Sequence, residues 1–311
     1  MEISPQNHIN TTHTLPFKCW WWLLLCTLYS PISFAAEPPK PTINIVRHCG
    51  SVDAEANVYV DNIVALALSY AHANYTIEKH GAGCSHPREV TLLEQGKTDF
   101  FWAGTTNDLE KRLIPIRVPI YKGMLGYRLL LIRAGDQARF SAVNSLEDLR
   151  AFSLGQGETW SDTPILKHAG FKVITSSDPK NLAYMLNSKR FDAYPRGMME
   201  PWQELVAWSD IDLAIEQELV IIYPMPAYIF VSPLKKELAA AIESGLEKAI
   251  ADGSFDKLFH SDVRVKTGIA NTKLSERRKI YLTNPDLPTA TPLNNPALWL
   301  NAYDTDSKPK Q

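Results

Sequence analysis

The sequence predicts an α/β protein with two lobes, each built on a mainly parallel sheet. Short apolar segments suited to strands alternate with segments whose apolar residues recur at helical spacing, which is typical of βαβ units. This alternation begins again after Ile132, and a further apolar strand at Ala227–Val231 leads back to the first lobe. The length of 311 residues is enough for two lobes with separate cores.

The composition is that of an ordinary globular protein. Hydrophobic residues make up 45% of the chain and charged residues 21%, and the formal net charge is −2. No long basic run occurs, so we expect no nucleic-acid partner.

Residues 1–36 have the pattern of a cleaved signal peptide. Lys18 precedes the apolar run Cys19–Leu28, and Ser33–Phe34–Ala35 offers a small-x-small cleavage site. The alternative is an uncleaved membrane anchor, but the run is shorter than the roughly 20 residues that a spanning helix needs. We therefore expect a periplasmic protein that is secreted through a cleaved signal peptide.

Cleavage would leave Cys49 and Cys84, an even number in an oxidising compartment. Each follows a predicted strand, at Ile43–Arg47 and Tyr75–Lys79, and neighbouring parallel strands would bring the two thiols within bonding reach. We expect a disulfide; free thiols are the alternative. A metal site is a third option, because His48, His80 and His86 lie nearby, but no spacing matches a zinc pattern, so we expect no metal.

The first lobe continues with predicted helices at Val58–Ala71 and Pro87–Gln95 and a strand at Phe100–Trp102. Small and hydroxyl residues follow this strand, including Thr105 and Thr106. Such residues at the end of a strand leave hydroxyl and backbone N–H donors open to a ligand.

A short helix carrying Lys111 and Arg112 comes next. Pro115 and Pro119 then keep the chain extended as far as Tyr121. We interpret Tyr127–Ile132 as the strand that leaves the first lobe.

This order of elements resembles the type 2 periplasmic-binding fold and, within it, the amino-acid-type (family 3) extracellular solute-binding proteins. In that family an arginine after the strand grips the carboxylate of the ligand, and an extended segment ending in Pro-x-Tyr follows. Arg112 and Tyr121 resemble these residues, although counting without a gap from Asp99 or Tyr121 puts Lys111 at the arginine position.

The polar segment Arg133–Asn144 is predicted to form a loop. The second lobe then continues with the predicted short helix Leu146–Leu149 and the predicted strand Ala151–Leu154. The motif Gln156–Gly157–Glu158–Thr159 then resembles the family's Gln-Gly-x-Thr, which makes Thr159 similar to a residue that donates to the ligand carboxylate. Free N–H groups at a helix N-terminus favour an anion, but Thr159 or Ser161 could equally cap the helix. Further elements are predicted at Asp162–Ala169, Phe171–Thr175, Pro179–Asn187 and Phe191–Tyr194.

The segment Arg190–Trp202 departs from the family pattern. Where amino-acid binders carry an aspartate for the ligand ammonium group, this chain has Gly197, preceded by Arg196. Glu200 could substitute from one turn away. The aromatic residues Trp160, Tyr194 and Trp202 could line a pocket, although large aromatic residues are more often core.

Crossings near 132–136 and 219–226 would form a paired hinge. They divide the chain into a first lobe of residues 37–132 plus 223–262 and a second lobe of residues 133–222. A helix over Leu234–Ala251 and a closing turn at Gly253–Leu258 complete the first lobe. Residues 263–311 are predicted to form an external strap and a tail, with a basic helical piece at Ser275–Tyr281.

The resemblance implies a solute-binding protein that captures a small polar solute by hinge closure and presents it to an ABC-transporter permease. Because Gly197 removes the acid expected for an ammonium group, we expect an anionic or amino-acid-like solute. We expect a monomer that needs no cofactor. The alternatives are a sensory binding protein for a membrane receptor, or a dehydratase-like enzyme using Glu158 or Glu200. The predicted ligand-binding residues are Thr105, Thr106, Lys111, Arg112, Arg117, Tyr121, Thr159, Trp160 and Arg196.

Overall fold

A computed structural model describes residues 42–47, 54–71, 73–79 and 85–300. The predicted signal peptide and the predicted Cys49–Cys84 disulfide lie outside the described residues, so both stay predictions. Within the described ranges, none of the helices has the length and apolar character needed to cross a membrane.

Twelve strands are formed by the described residues, and most coincide with the apolar segments of the sequence. In chain order they are β1 Thr42–Arg47, β2 Asn74–Lys79, β3 Phe100–Gly104, β4 Ile114–Ile116, β5 Tyr127–Arg133, β6 Ser153–Gly157, β7 Lys172–Ser176, β8 Tyr194–Gly197, β9 Leu213–Ile215, β10 Leu219–Ile222, β11 Ala227–Val231 and β12 Arg278–Tyr281.

Eleven α-helices lie between or after these strands in the described part of the chain. They are α1 Ala54–Ser69, α2 His86–Glu94, α3 Asn107–Arg112, α4 Gln137–Ser141, α5 Leu146–Arg150, α6 Thr163–His168, α7 Leu182–Asn187, α8 Pro201–Ala207, α9 Lys236–Ala251, α10 Ser254–Ser261 and α11 Val263–Thr272.

We call strands β1–β4 and β11 the first sheet group. β1 and β2 are parallel, and β11 lies antiparallel between β3 and β4. The backbone N–H of Asp99 donates to the carbonyl of Val46 at 2.8 Å, which joins the two sheets side by side. Helices α1 and α9 pack together on this group, so closely that a Cβ on Gly245 would stand 1.9 Å from the carbonyl oxygen of Ala67.

We call strands β5–β10 and β12 the second sheet group. Its larger sheet has the order β12-β10-β5-β8, and β9 pairs with β5. β6 and β7 form a parallel pair, and a parallel bridge between Leu154 and Ala193 sets β6 beside the start of β8. β5 is at the centre, and its Leu129, Leu130 and Leu131 are fully buried.

The sheets are mixed rather than mainly parallel, which corrects the sequence prediction. Five of the eight strand pairings among the described residues are antiparallel, and three are parallel. The reason is that β5 and β11, the strands that follow the two crossings, each run opposite to both of their main neighbours.

Three local predictions also need correction. β5 was expected to end the first lobe, but it pairs with β10, β8 and β9, so the first crossing ends before Tyr127. The basic segment Ser275–Tyr281 was expected to be helical and contains strand β12 instead, because β10 offers it a parallel partner. The segment Arg133–Asn144, expected to be a loop, contains helix α4.

Candidate ligand-binding site

One edge of the candidate site is the carboxyl end of β3. Thr105 follows this strand, is buried, and donates from its hydroxyl to Glu110 Oε1 at 2.8 Å. The Thr106 hydroxyl accepts from the backbone N–H of Leu109 at 3.1 Å and so caps α3. The Thr105 N–H also donates to the Pro226 carbonyl at 3.0 Å, so the groups expected to be open to a ligand at this edge are engaged within the protein.

The predicted cations near β3 differ in their surroundings. Arg117 pairs with the buried carboxylate of Glu110, with Nη2 and Oε2 2.6 Å apart. Because the Thr105 hydroxyl donates to the same carboxylate, Arg117, Glu110 and Thr105 form one cluster at the β3 edge. Lys111 is exposed, and none of the described residues forms a hydrogen bond or ion pair with its ammonium group.

Arg112 is the last residue of α3 and contacts the C-terminal end of α2. Its Nε and Nη2 donate to the two oxygens of Glu94, the last residue of α2, at 2.8 and 3.0 Å, and its Nη1 donates to Asp108. The guanidinium group lowers the pKa of the Glu94 carboxyl. Arg112 is thus part of a surface ion-pair group with Glu94 and Asp108.

Tyr121 is a core residue. Its ring stacks on Tyr59 with centroids 4.9 Å apart and meets Trp102 edge-on at 5.6 Å. Its hydroxyl accepts a hydrogen bond from Arg264 at 2.9 Å. Tyr121 is 1% exposed, so in this conformation a ligand does not reach it.

The facing edge is the loop between β6 and α6. Thr159 is exposed, and neither its side chain nor that of Ser161 caps α6, whose N-cap residue is Asp162. The half-buried ring of Trp160 lies against Gly157, where an added Cβ would meet the ring at 2.5 Å. A residue with a side chain at position 157 would displace Trp160.

The two edges touch. The hydroxyl of Ser161 donates to the carbonyl of Gly104 at 2.8 Å. His86, the first residue of α2, interacts electrostatically with the Asp162 carboxylate. Burial lowers the pKa of His86, and the negative charge of Asp162 opposes this shift. Residues of the β3 edge and of the β6–α6 loop therefore share one interface.

Behind this interface lies a buried ionic network. Arg128 and Asp162 are 3% and 1% exposed, and Nη2 and Oδ2 are 2.5 Å apart. The Gln156 amide donates to Asp162 at 2.6 Å, and Tyr223 accepts from Arg128 Nε at 2.9 Å. Burial lowers the pKa of Arg128, but the negative charges of Asp162 and Glu200 outweigh it, so the pKa is raised.

Arg196 lies against two aromatic rings. Its guanidinium carbon is 4.9 Å from the centre of the Trp160 ring and 5.0 Å from that of Tyr194. It also pairs with Glu204 at 2.5 Å and Glu200 at 3.1 Å. Burial opposes the charge of Arg196, yet these two carboxylates raise its pKa.

The carboxylate of Glu200 lies beside Gly197. A Cβ built on Gly197 would stand 3.0 Å from Glu200 Oε2, and the Gly197 N–H donates to that same oxygen. Glu200 therefore puts its acid group where a short side chain at position 197 would carry one.

The structure brings together most of the predicted site residues, in two sets. Thr105, Thr106 and Arg117 lie at the β3 edge, and Thr159, Trp160 and Arg196 at the facing edge. Sequence reasoning missed Arg128 and Asp162. An arginine inside the apolar run Tyr127–Ile132 was the available signal, because a buried cation needs a buried partner.

No metal centre is indicated: the described residues contain no group of three or more His, Cys, Asp or Glu side chains placed to hold an ion.

Comparison with solved structures identifies the fold. An arginine-specific periplasmic binding protein of Salmonella typhimurium matches with a TM-score of 0.52 and 16% identity, over 71% of this chain and 98% of that one. The probable amino-acid ABC transporter extracellular-binding protein ytmK of Bacillus subtilis matches with a TM-score of 0.53 and 16% identity, over 72% and 98%. A Streptococcus mutans structure concerned with glutathione import via GshT matches with a TM-score of 0.53 and 13% identity, over 72% and 95%.

The chain therefore has the type 2 periplasmic-binding fold found in amino-acid-binding components of ABC importers, as the sequence predicted. The neighbours are matched over nearly their whole length, whereas more than a quarter of this chain lies outside each match. No protein-family model matches the sequence, and no curated protein does.

Proposed function

We propose that the protein is an exported solute-binding protein that captures a small amino-acid-like solute between the β3 edge and the β6–α6 loop. The two sheet groups act as lobes that close on the solute, and the closed form is presented to a membrane partner. That partner is an ABC-transporter permease; a sensory receptor is the alternative.

Glu200 is the observation that carries this proposal. Within the expectation of an anionic or amino-acid-like solute, the anionic choice rested on the missing acid at position 197. The Glu200 carboxylate, next to Gly197, supplies an acid at that place and can accept from an ammonium group. An amino-acid-like solute thus has a partner for its positive group.

The charge balance of the buried groups supports the same conclusion. Arg128 and Arg196 face three carboxylates in one connected network, namely Asp162, Glu200 and Glu204. This leaves one negative charge in excess, which favours a ligand with a positive group. For a ligand carboxylate, the exposed Thr159 and Lys111 are the available donors, since Arg117 and Arg112 are each paired with acids.

The geometry favours binding over dehydratase-like catalysis. A general acid must have a proton to give and room to reach the substrate. The carboxylate oxygens of Glu200 contact Arg196, Arg128 and the Gly197 N–H, so they act as acceptors. Glu158, the other candidate, is exposed on a turn.

Calorimetry with the exported protein tests the proposal. Neutral and basic amino acids, dicarboxylates and small peptides are titrated into the wild type and into Glu200→Gln. Losing a hydrogen bond to a charged group costs about 1.5–3 kcal/mol, so Glu200→Gln should weaken amino-acid binding about 10- to 150-fold. Glu147→Gln, which changes an exposed carboxylate on α5, is the matched control and should bind like the wild type.

Two results would contradict the proposal. Binding of dicarboxylates but not of amino acids would favour the anionic solute, and turnover of prephenate-like acids would favour the enzyme. If amino acids bind and Glu200→Gln has no effect, the ammonium group lies elsewhere.

A further inference from the structure

Residues Val263–Leu300, which we call the C-terminal segment, are attached first to the second sheet group. A Cβ on Gly268 of α11 would stand 2.8 Å from the carbonyl oxygen of Met198, so the helix lies directly on the backbone that follows β8. β12 then extends the sheet beside β10. Between α11 and β12, the buried guanidinium group of Arg277 donates to three backbone carbonyls, those of Thr272, Glu216 and Leu219.

The same segment is also attached to the first crossing. At its start, Arg264 donates to the Tyr121 hydroxyl at 2.9 Å. At its end, the Lys122 ammonium group donates to the Ala297 carbonyl at 3.0 Å, and the Leu300 N–H donates to the Lys122 carbonyl at 2.9 Å. Trp299 is 4% exposed, so the end of the segment is packed and not merely in contact.

Two further contacts lie between these anchors. The Asn284 amide donates to the carbonyl of Pro224, in the second crossing, at 3.0 Å. The Asp286 carboxylate accepts from the side-chain amide of Asn107 at 2.8 Å, one residue beyond the proposed ligand-contact residue Thr106. The segment therefore touches both crossings and the β3 edge.

We propose that the C-terminal segment is a brace that restricts movement of one sheet group relative to the other. The chain passes between the groups at β4–β5 and β10–β11, and again at α10–α11 and after β12. A hinge of two strands bends freely, because only a few backbone dihedral angles must change. The two additional crossings, at α10–α11 and after β12, are bonded to both sheet groups. They resist rotation of one group relative to the other unless the hydrogen bonds to one group break.

The contacts of Asn284 and Asp286, which are part-buried and exposed, release more easily than the buried contacts of Arg277. Asn107 is exposed and the contacts of Asp286 are open to water, so breaking them exchanges protein for water partners at little cost. The contacts of Arg277 are buried, and breaking them would leave unsatisfied polar groups. Opening of the lobes thus requires release of the contacts of Asn284 and Asp286, while β12 stays in its sheet and the packed end at Trp299 stays on the first crossing.

Pulsed electron–electron double resonance, which measures the distance between two spin labels, tests the brace on the full chain. Nitroxides are attached through p-acetylphenylalanine at exposed Glu243 of α9 and Lys167 of α6, one on each side. The wild type should give one narrow distance distribution. The double variant Asn284→Ala/Asp286→Ala should add a second population at a longer distance and speed hydrogen exchange of the Asn107 N–H.

Glu276→Ala is the matched control, since it removes an exposed carboxylate of the same segment that bridges no crossing, and it should behave like the wild type. A double variant with an unchanged distribution, or a wild type already distributed over two distances, would overturn the brace. Circular dichroism melting of each labelled protein verifies that it is folded. The measurement needs no solute, so failure of the proposed function leaves its outcome unaffected.

Discussion

Removal of the Asp162 carboxylate should be among the most damaging single changes in the second sheet group. Asp162→Ala leaves the Arg128 guanidinium group, which is 3% exposed, without its 2.5 Å partner. It also strips the Gln156 amide of its acceptor, and the Gln156 Oε1 atom has no hydrogen-bond partner among the described residues even before the change.

The magnitude follows from the burial of the pair. Removing one partner of a buried ion pair typically costs 3–5 kcal/mol, because the remaining charge is uncompensated. Glu200 Oε2, 3.5 Å from Arg128 Nη1, compensates in part, so we expect about 3 kcal/mol. Asp162→Asn keeps the volume and an acceptor and should cost less, about 1.5–3 kcal/mol.

Urea denaturation followed by circular dichroism measures these free energies of unfolding, with an unchanged m-value as the condition for comparing them. Arg112→Ala is the control, because its pair with Glu94 is 39% and 36% exposed and should contribute less than about 1 kcal/mol. The double variant Arg128→Met/Asp162→Leu should recover much of the loss. If Asp162→Ala falls within 1 kcal/mol of Arg112→Ala, the network does not carry the stability assigned to it here.

Three further predictions concern packing, pH and the cysteines. Gly245→Ala should lower the free energy of unfolding by about 1–3 kcal/mol in chemical denaturation, because the new Cβ would clash with the backbone of α1. This clash outweighs the roughly 1 kcal/mol that alanine gains over glycine in helix propensity. Gly135→Ala is the control and should be neutral, because no atom lies within 4 Å of the added Cβ. Burial raises the pKa of Glu89 from 4.5 to about 7, with Arg47 opposing, so stability should fall by up to about 3 kcal/mol as pH rises from 4.5 to 7. Melting curves of Glu89→Gln should lack this decrease. Non-reducing mass spectrometry should find Cys49 and Cys84 joined, and two free thiols in exported material would contradict the predicted bond.

Much of the fold was predictable because strands and helices are indicated by local sequence patterns. The alternation of apolar runs with helical periodicity located β1, β2, α6 and α9 to within a few residues. Strand direction and sheet membership were less predictable. The apolar run of β5 looks the same whether it ends one sheet or begins the next, and only its pairing with β10 and β8 decides.

The sequence predicted which residues are candidates for the site, but for most of them it did not predict which residue each one pairs with. Asp108 and Arg112 are four residues apart on a helix, so this surface pair could have been found from the sequence. Arg128 and Asp162 are 34 positions apart, and no local rule connects them. The position of the Glu200 carboxylate beside Gly197 depends on the turn between β8 and α8, which sequence spacing alone does not define.

Strand β12 has a consequence for how fragments of this protein behave. β10 is a short run of four buried apolar residues, LVII, and β12 covers the row of backbone N–H and C=O groups along its outer side. The covering strand carries Arg278 and Lys279 on exposed positions, and charged side chains on an outermost strand discourage pairing with another molecule. A chain ending before Arg278 would present β10 itself as the open edge. We expect such fragments to self-associate through that strand even where the rest of the second sheet group is intact.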